Sequence, residues 1–136
     1  MTGQSIRDME LALEARVDSG RYNINRVIRT EVNHCCNQGV LMSYKAAGTK
    51  RYIFLATLDL RTSSICRSLD KEVFFVSKAE EGVNFPPMHP NCRSTTMAYP
   101  EDGIFPKERT ARDPETNKNI HVPFDMCSAQ WYRKYV

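Results

Sequence analysis

The sequence predicts an α+β fold, with N-terminal helices packed on a small antiparallel β-sheet and an extended C-terminal arm. Three observations point there. Apolar residues recur at three- and four-residue steps up to about residue 47, as one face of a helix requires. From Arg51 the chain becomes dense in aromatic and β-branched residues in short runs, the composition of strands. After Pro100 the composition shifts to proline, glycine and charge, which suits a surface segment.

The elements follow in order. Ile6, Met9, Leu13 and Val17 share one face of a first helix with Ser5 as its N-cap, and Asp18-Ser19-Gly20 breaks it. Ile24, Val27, Ile28, Cys35 and Leu41 define a longer second helix running to about Ala47 and ended by Gly48. Residues 51–58 read as a strand closed by Asp59, residues 61–69 as a short turn or helix, and residues 73–76 and 94–98 as two further strands. Phe54, Leu55, Leu58, Val73 and Phe75 are the expected core of the sheet. The arm, residues 100–136, runs to a last amphipathic piece around Trp131, Tyr132 and Tyr135. The helical stretch 5–47, the sheet-bearing stretch 51–99 and the arm make one domain, and no internal repeat is visible.

At 136 residues and 15.6 kDa the chain is long enough to bury a real core. Its net charge of +3, from 19 basic against 16 acidic residues, falls short of the basic signature of an autonomous DNA-binding domain. The longest apolar runs, such as Ile53-Phe54-Leu55-Ala56, are far below the roughly 18 residues that cross a bilayer, so no membrane partner is expected. The first residues lack the basic and apolar regions of a signal peptide, which predicts synthesis and folding in the cytoplasm. Five cysteines in that setting argue for thiols or metal ligands over a disulfide framework.

Three groups of residues carry candidate chemistry. Cys66 precedes Phe85-Pro86-Pro87-Met88-His89-Pro90-Asn91-Cys92, in which prolines stiffen the presentation of His89 and Cys92. A closed structural zinc site takes four ligands; this segment supplies two and Cys66 a third. The readings are a zinc knuckle completed by Asp59, Cys127 or a water, two buried thiols beside a hydrogen-bonded histidine, or a Cys66–Cys92 disulfide. Arg29, Glu31, Asp59, Arg61 and Asp70 form either a metal-holding acidic cluster or a structural ion-pair network between helix and sheet; the network is favoured, with Glu31 paired to Arg61. Trp131, Tyr132 and Tyr135 are either an interface anchor or a terminal segment folded back on its own core. His34, Cys35 and Cys36 diverge by about 100° per residue on a helix and cannot chelate one ion together, and His121 stands alone.

These blocks in this order resemble a known family. Arg29-Thr30-Glu31 on a helix, then the run from Leu55 through Asp59, Arg61-Thr62-Ser63 and Cys66-Arg67 to Asp70, then Val83-Asn84-Phe85-Pro86-Pro87 with His89-Pro90-Asn91-Cys92-Arg93-Ser94-Thr95-Thr96, is similar to the C-terminal part of phage head morphogenesis or minor capsid proteins with the Mu F-like domain. The tail, Ala111-Arg112-Asp113-Pro114-Glu115-Thr116 to Val122-Pro123 and Trp131-Tyr132, resembles the end of such proteins from phages of Gram-positive hosts.

The resemblance implies a structural, non-enzymatic protein of the virion head interior, assembled in the host cytoplasm near the portal. Portal, capsid and scaffolding proteins are its implied partners, with double-stranded DNA as a further contact during retention or ejection. One departure bears on the metal. Many members carry a Cys-x-x-Cys pair where this chain has Ser63 and Cys66, and a serine hydroxyl is not a normal zinc ligand. The buried-thiol reading is therefore favoured, with no cofactor expected and zinc the one candidate. The rival is a thiol- or metal-dependent enzyme using Cys66 with His89, or the carboxylates; no Gly-rich phosphate loop, His-Glu-x-x-His helix or nucleophile elbow accompanies them.

Overall fold

The computed structural model describes residues 3–16 and 20–136. The first helix, α1 (Ile6–Glu14), starts where Ser5 predicts: its hydroxyl accepts from the Asp8 N–H at 3.1 Å, and the Asp8 carboxylate accepts from the Ser5 N–H at 3.1 Å. This reciprocal cap satisfies two backbone donors at once. Val17 and the expected break at Asp18 and Ser19 lie outside the described residues. The long helix α2 (Arg21–Ala46) buries Ile24, Ile28, Asn37, Leu41 and Tyr44, and the chain leaves it through Gly48 at φ 69°, a left-handed conformation that glycine takes at little cost.

Next come β1 (Arg51–Leu55), α3 (Ser64–Leu69), β2 (Val73–Phe75) with a single 3-10 turn at Val76–Lys78, and β3 (Thr95–Ala98). The three strands form an antiparallel sheet in the order β2-β1-β3, with Tyr52 opposite Phe74 on one side and Ala98 on the other. Tyr52 and Phe54 are wholly buried on the central strand. Tyr52 packs with Leu41, Tyr44, Val76 and Phe85 between sheet and α2, while Phe54 packs with Ala56, Cys66 and Cys92.

Three expectations change. The first strand stops at Leu55, not Leu58, because the Ala56 N–H turns to the Asp70 carboxylate at 2.9 Å; Leu58 instead makes one parallel bridge to Ala111. Val73 and Phe75, expected in the core, are 41% and 55% exposed, and Leu55 is half-buried. Successive strand residues face opposite sides, so in β2 only Phe74 turns inward, its ring 5.8 Å from that of Tyr52. The stretch read as a surface arm contains a β-hairpin, β4 (Glu108–Arg112) with β5 (Asn119–Pro123), before the final helix α4 (Ser128–Tyr135). Its turn is shaped by Asp113, whose carboxylate accepts from the Glu115 and Thr116 N–H groups, and by Asn117 at φ 56°. Hairpin and helix close on a third core of Leu58, Ala111, Val122 and Trp131.

The inward and outward faces of the sheet should separate in denaturation. Phe54→Ala is expected to cost about 3–5 kcal/mol, the cost of emptying a filled aromatic site, whereas Phe75→Ser should stay within about 0.5 kcal/mol. Urea midpoints of the two variants compare them directly; a large loss from Phe75→Ser would contradict the assigned face.

Candidate functional site

Cys66, His89 and Cys92 come together as their spacing suggests, with one ligand atom from each lying within 4.8 Å of the others. Two local devices place them. Ser63 caps α3, its hydroxyl accepting from the Cys66 N–H at 3.2 Å, which turns the buried Cys66 thiol inward. The knuckle is pinned to α2 by the Asn91 N–H, which donates to Thr30 Oγ1 at 3.0 Å, and by the Ser94 carbonyl, which accepts from the amides of Asn33 and Asn37 at 3.1 and 3.4 Å. Asn91 itself is left-handed, at φ 61°.

The tautomer of His89 follows from its partners. Nδ1 lies 2.8 Å from the Pro90 carbonyl, which can only accept, so Nδ1 carries the proton in the neutral ring. The Nε2 lone pair then faces the Cys66 thiol at 3.2 Å and the Ser63 hydroxyl at 2.9 Å, both able to donate. Histidines that ligate metals are oriented in this way. The two sulfurs are 3.8 Å apart, and two thiolates each about 2.3 Å from a tetrahedral zinc are about 3.8 Å apart. Three of the positions around a zinc are therefore suited to it.

The fourth is not. The Ser63 hydroxyl lies 2.9 Å from His89 Nε2, and a serine hydroxyl is not a normal zinc ligand. Asp59 and Cys127, expected as completing ligands, are not in the cluster: Asp59 is engaged by Arg93, and Cys127 stands at the N-cap of α4 with its N–H donating to Gln130. The thiols titrate as a pair, since the hydrogen bond to Cys92, with burial added, pushes Cys66 up, while the same bond holds Cys92 down against burial. A cavity of about 20 Å³ adjoins Ser63, Cys66 and His89. It has room for about one water, and small-molecule sites typically enclose about 300–1,000 Å³.

The polar residues are paired differently from the expectation. Glu31 and Arg61 are exposed and do not meet, and Arg29 donates through Nε to Asn25 at 2.8 Å. Asp59 and Asp70 are buried as expected, each with an arginine from far along the chain. Arg93 forks onto Asp59, with Nη2 at 2.9 Å from Oδ1; the Arg61 N–H and the Thr62 hydroxyl complete that carboxylate. Burial pushes Asp59 up, but the Arg93 guanidinium and these donors outweigh it and hold the group at about 2. Arg109 places both terminal nitrogens 3.0 Å from Asp70, whose side chain is fully buried. Sequence reading missed both arginines.

Trp131 is wholly buried in its own core, with the rings of Tyr132 and Tyr135 centred 5.3 and 5.9 Å from it, so the folded-back arrangement describes this segment. Tyr132 also carries the Arg67 guanidinium 4.5 Å from its ring centre, tying α4 to α3.

Arg109→Met leaves the Asp70 charge buried and unpaired, and is expected to cost about 3–5 kcal/mol in chemical denaturation. Arg109→Lys should recover only part of this, because one ammonium cannot reproduce the two-pronged contact. A Met variant as stable as the parent would overturn the assignment of Asp70 and Arg109 as a structural pair.

A family model described as phage Mu protein F like protein matches residues 1–97. No curated protein and no solved structure matches the chain. The matched stretch holds the helix pair, almost the whole three-stranded sheet and all three knuckle residues, and leaves the hairpin and α4 beyond it. With 97 of 136 residues matched, the chain belongs to the phage Mu protein F-like family, a family of phage head morphogenesis proteins.

Proposed function

We propose that the chain is a structural domain of a phage minor head protein that acts in procapsid assembly near the portal and remains in the virion head interior. The observation that carries this reading is the family match across the helices, the sheet and the knuckle. Portal, capsid and scaffolding proteins are its partners in host cytoplasm during assembly, and packaged double-stranded DNA is a further contact. All three stretches, 5–47, 51–99 and 100–136, work as one domain; support comes from Asp70, which hydrogen-bonds the end of β1, Arg109 of β4 and the start of α4.

The structural reading of Cys66 and His89 draws support from their setting. A thiol nucleophile needs a substrate within reach, and the buried Cys66 adjoins space for about one water. The test of the assembly role is retention of the purified portal protein of the same phage on the immobilised chain. Retention at micromolar concentration is expected; its absence would remove the portal from the reading.

The cluster serves as a clasp that holds without metal. Zinc, where bound, would be held by Cys66, His89 and Cys92 and would supply only a structural crosslink. Purified protein is expected to carry well under one zinc per chain by elemental analysis and to melt at the same temperature with and without a chelator. Ser63→Cys adds a third thiol, and with it a fourth ligand, beside His89 and should raise the content to one zinc per chain, with melting now sensitive to the chelator. One zinc in the parent, with unfolding on chelation, would overturn the metal-free clasp.

A further inference from the structure

A second cavity, of about 590 Å³, lies between the first half of α2 and the knuckle and is lined by Tyr22, Asn25, Arg29, Arg61, Asn91 and Arg93. It differs in kind from the small space beside Cys66. Tyr22, Asn25 and Arg29 are spaced by three and four residues, so they share one face of the helix. Three guanidiniums converge on the cavity, and none of its lining residues is a carboxylate. Arg93 is neutralised from behind by Asp59. Among the described residues Arg29 and Arg61 have no carboxylate partner, so about two positive charges face the space uncompensated.

Arg29 is also held in a useful orientation. Asn25 is fixed by Glu10 of α1 through its amide nitrogen, and its oxygen accepts from Arg29 Nε at 2.8 Å. Glu10 is itself buried. Among the described residues the two terminal nitrogens of Arg29, the pair that forks onto phosphate oxygens, have no partner. Across the cavity the Arg61 guanidinium has no hydrogen-bond partner among the described residues, while its backbone N–H donates to Asp59 at 2.9 Å. Tyr22, 73% exposed at the rim, adds a flat aromatic surface.

We propose that this cleft binds the phosphodiester backbone of nucleic acid, with Arg29 and Arg61 gripping phosphate oxygens beside an Arg93 whose charge Asp59 already offsets. Arginine forks, amides and a tyrosine are the groups that contact phosphate and sugar, and they carry no base-reading arrangement. The binding is therefore sequence-independent and salt-sensitive. A net charge of only +3 makes the contact of one chain weak and leaves its strength to the number of copies acting together. The inference rests on the head-protein reading for the source of the nucleic acid, packaged double-stranded DNA.

The test is fluorescence anisotropy of a labelled 20-base-pair duplex, about 20 base pairs being ample for a cleft of this size, titrated with the full chain across a salt series. Arg29→Gln with Arg61→Gln should weaken binding about tenfold and make the slope of log affinity against log salt shallower by about two, one phosphate contact per arginine. Both side chains are exposed, so the variant should melt with the parent. Arg29→Lys with Arg61→Lys retains the charge without the fork, and should keep the slope while losing affinity. Lys45→Gln with Lys50→Gln removes one charge from the far end of α2, about 24 Å along the helix from Arg29, and one just beyond that helix, and should change affinity less than about twofold.

Equal loss in the Lys45 and Lys50 variant, or no loss in the Arg29 and Arg61 variant, would overturn the cleft. So would a poly-glutamate peptide that binds as tightly as the duplex with the same arginine dependence, or saturable binding of inorganic phosphate by a chain that does not bind the duplex. Portal retention is measured on the Arg29→Gln with Arg61→Gln variant as well as on the parent, which separates the two readings. A chain that retains portal but fails here loses the cleft alone, and one that binds duplex through Arg29 and Arg61 but fails on portal loses the portal reading alone.

Discussion

The carboxylate of Asp70 is fully buried and receives five hydrogen bonds, from the Ala56 N–H, the Ser128 N–H and hydroxyl, and both terminal nitrogens of Arg109. A buried charge left short of partners would cost several kcal/mol, so the elements that supply these donors have to meet at this point. The Ala56 donor ends β1. The Ser128 donor is one of the free N–H groups of the first turn of α4, where a negative charge also sits favourably against the helix dipole. Arg109, on β4, returns the link to β1 by donating to the Ala56 carbonyl at 2.6 Å. One side chain thereby fixes where a strand stops, where a helix starts and where the hairpin docks.

A similar economy operates at the knuckle. Its backbone is held by Thr30, Asn33 and Asn37 on α2, and Arg93 anchors it to Asp59, all without reference to the thiols. Cys66 and Cys92 pack with Phe54 and Ala56 as part of a small core, so the sulfurs already have a packing role of their own. A metal added to this frame would crosslink a loop whose position other contacts define. With Ser63 both capping α3 and bonding His89, the cluster is internally satisfied as it stands.

Much of this was legible in the sequence where a signal is local. Ser5, Gly48 and the apolar spacing mark both helices, and the aromatic run from Arg51 marks the central strand. Cys66, His89 and Cys92 could be grouped because a stiff turn must rest on something nearby. The hairpin was hidden because each of its strands has one fully buried residue, Ala111 and Val122, too few to show alternation. Its usable cue lay at the turn, in Asp113-Pro114 and Asn117. Strand β2 was found but its inward parity was not, since Val73-Phe74-Phe75 is apolar throughout and three residues cannot declare a face. Asp59 and Asp70 could be grouped as carboxylates of an ion-pair network between helix and sheet. Their partners lie 34 and 39 residues further on, whereas the arginines grouped with them from the sequence were Arg29 and Arg61.

That separation bears on how the family match is to be understood. The matched residues end at position 97 and include Asp70, but Arg109 and Ser128, which satisfy Asp70, lie beyond them. A segment ending at 97 would keep a buried carboxylate while losing the arginine paired with it and two further donors, and would also uncover Leu58 by removing Ala111, Val122 and Trp131. The charge balance and the third core make the same demand, and both are met from outside the matched stretch. In this chain the hairpin and α4 therefore belong to the same folding problem as the sheet. A relative lacking an arginine at the position of Arg109 would need a different residue at Asp70, or a different donor in its place.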